Sequence, residues 1–299
     1  MMKKYCVIAV AVMALSFLLL VAGSSRFRAK LIRQYYKAEV AFCLPGLVPS
    51  SHLLTPCWDK DGLDSSAFWI AHGGGIGKYV YTNCAEAVQD SLFRGFNFIE
   101  LDLMETSDGH LVGGHSWEEL RALVGHETGG NAALSKSEIE SLRSRWKGTP
   151  LFADDICRLL CENPQMVLVT DKTQNFELLL REIPFADRMV IEAFSCYDYL
   201  RALRAGAKHV ALTAWSVYDL KQAQKYKLPG VVLSASVIRD DPAALPLVQQ
   251  MHREGCCIMV HWAEVSDKPE FVHEHLGRNI SLLYTDTWSP RNIPPRPEE

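Results

Sequence analysis

The stretch 95-GFNFIELDLMETSDGHLVGGH-115 reads as an apolar strand, a tight turn and a second apolar run that ends in histidine. Side chains alternate across a strand, so Phe98, Glu100, Asp102 and Met104 share one face while Ile99, Leu101 and Leu103 take the other. Two carboxylates on one face repel each other. They are also costly to desolvate unless a cation or hydrogen-bond donors stand between them. Asp108 and Gly109 are turn residues, so the second run follows closely on the first. The rest of the chain must supply whatever makes this pair of acids tolerable.

Outward from this stretch, short apolar runs alternate with helical patterns. On the N-terminal side, 68-FWIAHGGG-75 is a strand running into a glycine loop, and 83-NCAEAVQDSLFRG-95 is a helix closed by Gly95. On the C-terminal side, 134-LSKSEIESLRSRW-146 carries a capping box at Ser135 and Glu138. A helix at 152-FADDICRLLCENP-164 and a strand at 165-QMVLVTDK-172 follow, and the alternation continues to 281-SLLYTDTW-288. The strands are continuous apolar runs, as in parallel sheets covered on both faces. About eight such units over roughly 230 residues predict an α/β fold of the closed (β/α)8 TIM-barrel type rather than an open doubly wound sheet. No G-x-G-x-x-G or Walker loop opens any helix, which argues against nucleotide binding.

In such a barrel, functional residues gather where strands run out at their C-terminal ends. The candidates there are His72, then Glu100 and Asp102, His115, Asp171 with Lys172, and His261 with Trp262. Three carboxylates without a thiolate favour a hard divalent cation, Mg2+ or Ca2+, over zinc. Glu100, Asp102 and Asp171 are the candidate metal ligands. His72 and His115 remain to move protons, a task suited to a side chain that titrates near neutrality. A cation for anionic oxygens plus two proton carriers is what phosphodiester cleavage requires.

Blander readings stand beside these. Asn83 or Asp171 serves equally well as a helix cap. Lys78 either reaches a phosphate or is a solvated loop lysine. The run Gly73–Gly75 either cradles an anion with its amides or only turns tightly. Trp215 and Trp262 either line a pocket or pack against the rim, and His261 alone reads more simply as structural.

The chain has 299 residues and a formal net charge of −4, without basic blocks interleaved with aromatics, so no nucleic-acid partner is expected. The opening residues differ in kind: 5-YCVIAVAVMALSFLLLVAG-23 is uncharged, apolar and about long enough to cross a bilayer. It is a signal segment or, as its length favours, a membrane anchor over residues 1–23. The basic residues after it would place the following domain in the cytoplasm by the positive-inside rule, but large domains are exported despite such charges. The expectation is a single-pass membrane protein with the barrel on the periplasmic or extracellular side. A juxtamembrane linker spans 24–65, the barrel 66–292 and a flexible tail 293–299. The nine cysteines include no paired C-x-x-C; Cys43 and Cys57 could be bridged, and the others read mostly as small buried hydrophobes.

The order and spacing of "IAHGGG", "TNCAEAV" and the 95–115 block resemble the signature of the glycerophosphodiester phosphodiesterases: H-R-G, then P-E-N-T-x-E-A, then E-x-D ending in H-D. "TPLFADDICRLL", "VLVTDK", "VIEAFSCYDYLRALR" and "LLYTD" extend the likeness across residues 68–290. The resemblance implies a TIM-barrel phosphodiesterase with His72 and His115 as the acid–base pair and Glu100, Asp102 and Asp171 as metal ligands. The likeness also reaches phospholipase-like branches of the superfamily. The chain departs from the pattern in four places. Gly73 stands where the family has a phosphate-clamping arginine, Tyr81-Thr82-Asn83 replaces P-E-N, and Ser116 replaces an aspartate. Lys172 follows the third acid directly instead of two places on, which on a regular strand would turn it to the opposite face. Without the arginine, Lys78, Lys172 and Trp262 are the candidates for holding a phosphodiester or phospholipid-derived substrate.

The expected function is therefore metal-dependent hydrolysis of glycerophosphodiesters or phospholipid head groups. A barrel that has lost catalysis and serves as an anchored binding or scaffold protein is the alternative. A glycosidase is disfavoured, because Glu100 and Asp102 lie too close on one strand to straddle a glycosidic bond.

Overall fold

The structure, a computed structural model, describes residues 25–48, 54, 69–126, 128, 130–261 and 279–290. The chain divides into two units between Leu47 and Val48. The first contains a helix, Ser25–Cys43, and a single 3-10 turn, Leu44–Gly46. Among the described residues no helix is long and apolar enough to cross a membrane. The expected anchor at 1–23 lies outside the described residues, as do Cys57, Trp262 and the tail 293–299. The membrane expectation thus finds no support here.

Among the described residues the second unit has nine strands: β1 (Trp69–Ala71), β2 (Phe98–Glu105), β3 (Leu111–Gly113), β4 (Val167–Lys172), β5 (Met189–Ala193), β6 (His209–Ala214), β7 (Gly230–Ser234), β8 (Cys257–His261) and β9 (Leu282–Thr285). Eight of them pair in parallel in the order β1-β2-β4-β5-β6-β7-β8-β9, and β9 returns to β1, which closes the barrel. Helices such as Ala85–Phe93, Ala153–Glu162, Phe176–Glu182, Cys196–Ala205 and Val217–Tyr226 follow the strands and cover them. Ser195 and Ser216 cap two of these helices with side-chain oxygens, as the serine before an apolar periodic run predicts. The capping box at Ser135 and Glu138 is present.

One strand departs from the sequence reading. The run that ends in His115 counts there among the barrel strands, but β3 lies antiparallel on β2, outside the ring. The reason is the short connection. A parallel neighbour needs a crossover of a dozen or more residues, and the turn through Asp108 and Gly109 allows only a hairpin.

The barrel interior follows from the two-residue period. Ile70, Val167, Val169, Val190, Ala211, Val232, Met259 and Leu282 form one buried cluster with Phe98 packed against it. Each full burial of such a side chain contributes roughly 1.5–3 kcal/mol. Two or four positions further along each strand, the same face reaches the C-terminal end of the ring. Ile70 leads to His72, Phe98 to Glu100 and Asp102, Val169 to Asp171, Val190 to Glu192, Ala211 to Thr213, Met259 to His261, and Leu282 to Tyr284. Apolar residues fill the foot and polar ones gather at the mouth.

Between β2 and β4 the chain makes an excursion with a small core of its own, built from Val112, Leu120, Val124, Leu134, Ile139 and Phe152. His115 is carried on this excursion.

Candidate active site

A cavity of about 400 Å3 opens at the barrel mouth, lined by His72, Glu100, Asp102, His115, Asp171 and Lys172. The structure thus brings together all five residues assigned above to proton transfer and metal binding. Lys78 does not line this cavity; it faces an adjoining one.

Glu100, Asp102 and Asp171 each present a carboxylate oxygen, and these oxygens lie within 4.8 Å of one another. Strand register explains the convergence, since Asp102 sits directly beside Asp171 on the neighbouring strand. Glu100 and Asp102 are almost wholly buried. Burial, then the charges of Asp102 and Asp171, push the Glu100 carboxyl well above its ordinary value despite a hydrogen bond from the Gly73 amide. Asp171 is driven up to about 9 by burial and by the Glu192 and Asp102 charges. Its Oδ1 is buried without a hydrogen-bond partner. Three converging acids, one of which keeps a buried oxygen without a partner, fit a hard divalent cation that would neutralise the repulsion.

Asp102 has supports of its own. Asn83, itself fully buried, donates from Nδ2 to Asp102 Oδ2 at 3.0 Å and accepts from the Asp102 amide at 2.9 Å. Asn83 therefore does not cap the following helix; Cys84 occupies that place with no side-chain bond. Gly73 donates its amide to Glu100 Oε2 at 2.7 Å, so the glycine loop holds an acid there.

The missing arginine has a steric explanation. Gly73 adopts a φ of 56°, and a Cβ at that position would stand 2.7 Å from the Tyr81 Cα. The loop has folded over the place that a side chain would occupy. Tyr81 then packs edge-on against both imidazoles, 4.5 Å from the His72 ring centre and 5.7 Å from that of His115. Ser116, which stands where the family has aspartate, caps the helix Trp117–Leu123 by accepting from the Glu119 amide.

Lys172 solves its off-by-one spacing through the backbone. Its φ is 65°, and the Thr173 amide donates to the Asp171 carbonyl at 2.9 Å, a γ-turn centred on the lysine. The turn breaks the strand alternation and brings Nζ to 3.6 Å from Asp102 Oδ1, on the same cavity as the acids. A side chain that a regular strand would turn away is thereby returned to the site.

The two histidines are both held by carboxylates. His72 Nδ1 meets Asp286 Oδ1 at 3.0 Å, and His115 Nδ1 meets Glu119 Oε1 at 3.2 Å. A carboxylate on Nδ1 fixes a proton there and leaves Nε2 for chemistry. The remaining wall comprises Glu192, which accepts from Tyr284 and, at 3.2 Å, from Thr213, together with Phe194, Trp215 and His261. Burial pushes the His261 imidazole down to about 4, with the nearby His72 acting in the same direction, so it is neutral at ordinary pH. Glu192, Tyr284 and Asp286 were missed from sequence. Their signal was present in "VIEAF" and "LLYTD", where a polar residue interrupts or ends an apolar run on the inward face.

No protein-family model and no curated protein matches the sequence. Solved structures do match. A protein from Galdieria sulphuraria assigned to the glycerophosphodiester phosphodiesterases superposes with a TM-score of 0.60 at 16% identity, over 75% of this chain and 95% of that one. The glycerophosphodiester phosphodiesterase of Thermotoga maritima gives 0.58 at 19%, over 74% and 94%. The fold is that of the glycerophosphodiester phosphodiesterases. A phosphodiesterase from Oleispira antarctica, solved with the product sn-glycerol-3-phosphate, shares it at a TM-score of 0.56 and 12% identity, over 73% of this chain and 92% of that one.

Proposed function

We propose that this protein is a metal-dependent phosphodiesterase that hydrolyses glycerophosphodiesters or phospholipid head groups with His72 and His115 as general acid and base. The observation that carries this reading is the orphaned oxygen of Asp171 among three acids, facing two carboxylate-bound imidazoles across one cavity. Glu100, Asp102 and Asp171 would hold a Mg2+ or Ca2+ ion, whose chemistry is to offset negative charge on the phosphate oxygens. Lys172 supplies a second positive charge in place of the absent arginine. One imidazole takes the proton of the attacking hydroxyl through Nε2, and the other delivers a proton to the departing alkoxide. Glycerol phosphate bound in the Oleispira antarctica phosphodiesterase supports the substrate class. Attachment to a membrane, with the barrel on its outer side, belongs to the same proposal and rests on the sequence of residues 1–23 alone.

The test is hydrolysis of a panel of glycerophosphodiesters and lysophospholipids with Mg2+, Ca2+ or Mn2+, read by phosphorus NMR. His72→Ala and His115→Ala should each lower kcat by about 10²–10⁴-fold. A chain that binds metal and diester by calorimetry without turnover would instead be the scaffold, and full activity in His115→Ala would end the acid–base assignment.

A further inference from the structure

Two residues of the loop after β1 hold a backbone conformation that L side chains disfavour, Tyr81 at a φ of 57° and Asn83 at 51°. Strain of this kind persists where the surroundings over-determine it, and it gathers at functional sites. For Asn83 the return is plain, because its side chain clamps Asp102 through two hydrogen bonds. Tyr81 needs a reason of its own. Its backbone is pressed against Gly73: the Asn83 amide donates to the Gly73 carbonyl at 2.9 Å, and the glycine leaves the space that the Tyr81 Cα approaches. The Asn83 side chain also reaches the Tyr81 carbonyl at 3.4 Å, so one residue ties the tyrosine to the acid cluster.

What Tyr81 gains there is contact with both imidazoles at once. The two histidines differ in what else holds them. His72 has the shielded Asp286 and a second ring, Tyr284, whose centre lies 5.5 Å away. His115 is carried on the excursion, and its carboxylate partner Glu119 is open to water. An acid and a base that work on opposite sides of one phosphorus must keep a fixed separation. With each Nδ1 bound to a carboxylate, one free Nε2 is a donor and the other an acceptor in the working site. Two mobile imidazoles in those states would hydrogen-bond to each other and close it. An aromatic ring against both prevents this, since its carbon edge and face offer neither nitrogen a strong partner.

We propose that Tyr81 is the positioning residue of the acid–base pair: its ring seats His115 at a fixed separation from His72, and the strained loop over Gly73 serves to place it. The inference rests on the phosphodiesterase reading and deepens it. It also gives two departures from the family pattern a single cause. Gly73 and Tyr81 form one unit, in which the glycine that removes the arginine makes room for the tyrosine.

The experiment pairs two substitutions in the full chain. Tyr81→Asn deletes the ring but supplies a residue type that tolerates positive φ, so the loop keeps its backbone. Tyr81→Phe keeps the ring and deletes the hydroxyl. On glycerophosphoethanolamine with Mg2+, Tyr81→Asn should lower kcat by about 10²-fold and change KM by less than about threefold, while Tyr81→Phe should recover kcat to within about fivefold of wild type. Imidazole nitrogen NMR of the metal-free chain reads the positioning directly. His115 should hold one tautomer, with its proton on Nδ1, in the wild type and in Tyr81→Phe. In Tyr81→Asn it should move to the averaged shifts of a mobile imidazole, while His72 keeps its own. Unchanged His115 shifts in Tyr81→Asn would overturn the proposal. Equal losses of kcat in both variants would assign the effect to the hydroxyl and overturn the role of the ring. A rise in KM at constant kcat would make Tyr81 a substrate contact and overturn it too. A wild-type chain that cleaves no diester sinks the phosphodiesterase reading, while the His115 shifts still decide whether the Tyr81 ring seats that imidazole.

Discussion

His72 and His115 face one cavity from unlike foundations. His72 leaves the end of β1, and its ion pair with Asp286 is 15% exposed on both sides. His115 hangs from the excursion beyond β3, and its pair with Glu119 is 40% and 51% exposed. The first pair belongs to the barrel ring, where closure fixes every strand end relative to the others. The second belongs to a hairpin with a separate small core. Solvent screens an exposed pair to about 0–1 kcal/mol, whereas a shielded carboxylate holds its imidazole in one orientation. The barrel thus supplies a rigid half of the site and the excursion an adjustable half.

The largest break in this comparison removes what both halves serve. Asp171→Asn should lower phosphodiester hydrolysis by about 10³-fold and abolish stabilisation by divalent cations. Its effect on metal-free stability has the opposite sign. The Asp171 carboxyl titrates near 9 in the folded chain and near 3.9 when unfolded. Between those values the unfolded chain binds fewer protons, so stability without metal falls as pH rises. From pH 7 to 9 His252 and His261, both pushed down to about 4 by burial, are already neutral, while the buried thiols of Cys196 and Cys256, pushed up by burial, add a fall of the same sign that Asp171→Asn leaves in place. Thermal unfolding in EDTA should therefore show a melting temperature lower at pH 9 than at pH 7. Asp171→Asn should flatten that slope, and Mg2+ should raise the wild-type value most at pH 9. An unaltered slope in the variant would mean that the acid cluster carries no such strain.

The ring half of the site was legible in the sequence because one rule governs it. Period-two alternation from Phe98 places Glu100 and Asp102 on one face, and parallel register carries Asp171 beside them. The same rule reaches Glu192 from Val190 and Tyr284 from Leu282. The excursion was less legible. Nothing in the local pattern of Leu111–Gly113 distinguishes a barrel strand from a hairpin arm; only the length of the preceding turn does. The place of Lys78 is illegible in the sequence for a related reason. Its cavity depends on how the loop through Tyr81 and Asn83, both at positive φ, folds onto Gly73, and no periodicity encodes that.

A pair of substitutions sharpens the contrast between the two foundations. Asp286→Asn should lower kcat by about 10²-fold, because an amide that donates as well as accepts no longer fixes the His72 tautomer and no longer offsets charge on the ring. Glu119→Gln should cost no more than about threefold, as expected for an exposed pair that water replaces. Steady-state kinetics on one diester, with the pH profile of kcat/KM for each variant, reads both. Equal losses would mean that the excursion orients His115 as firmly as the ring orients His72.

The smallest difference is one of stability and concerns Lys172, where the ring half itself departs from regularity. A non-glycine residue held at positive φ costs about 1–2 kcal/mol, and the γ-turn there persists because it returns the ammonium to the acids. Lys172→Ala and Lys172→Gly both delete that ammonium and should both lower kcat/KM about tenfold. They differ in backbone alone. Glycine adopts this φ without strain but loses about 0.5–1 kcal/mol of chain entropy, so Lys172→Gly should exceed Lys172→Ala in unfolding free energy by about 0.5–1 kcal/mol. Urea unfolding of the two variants side by side measures the difference. If the alanine variant is the more stable, Lys172 is relaxed and its position follows from something other than a turn maintained at a cost for the sake of the site.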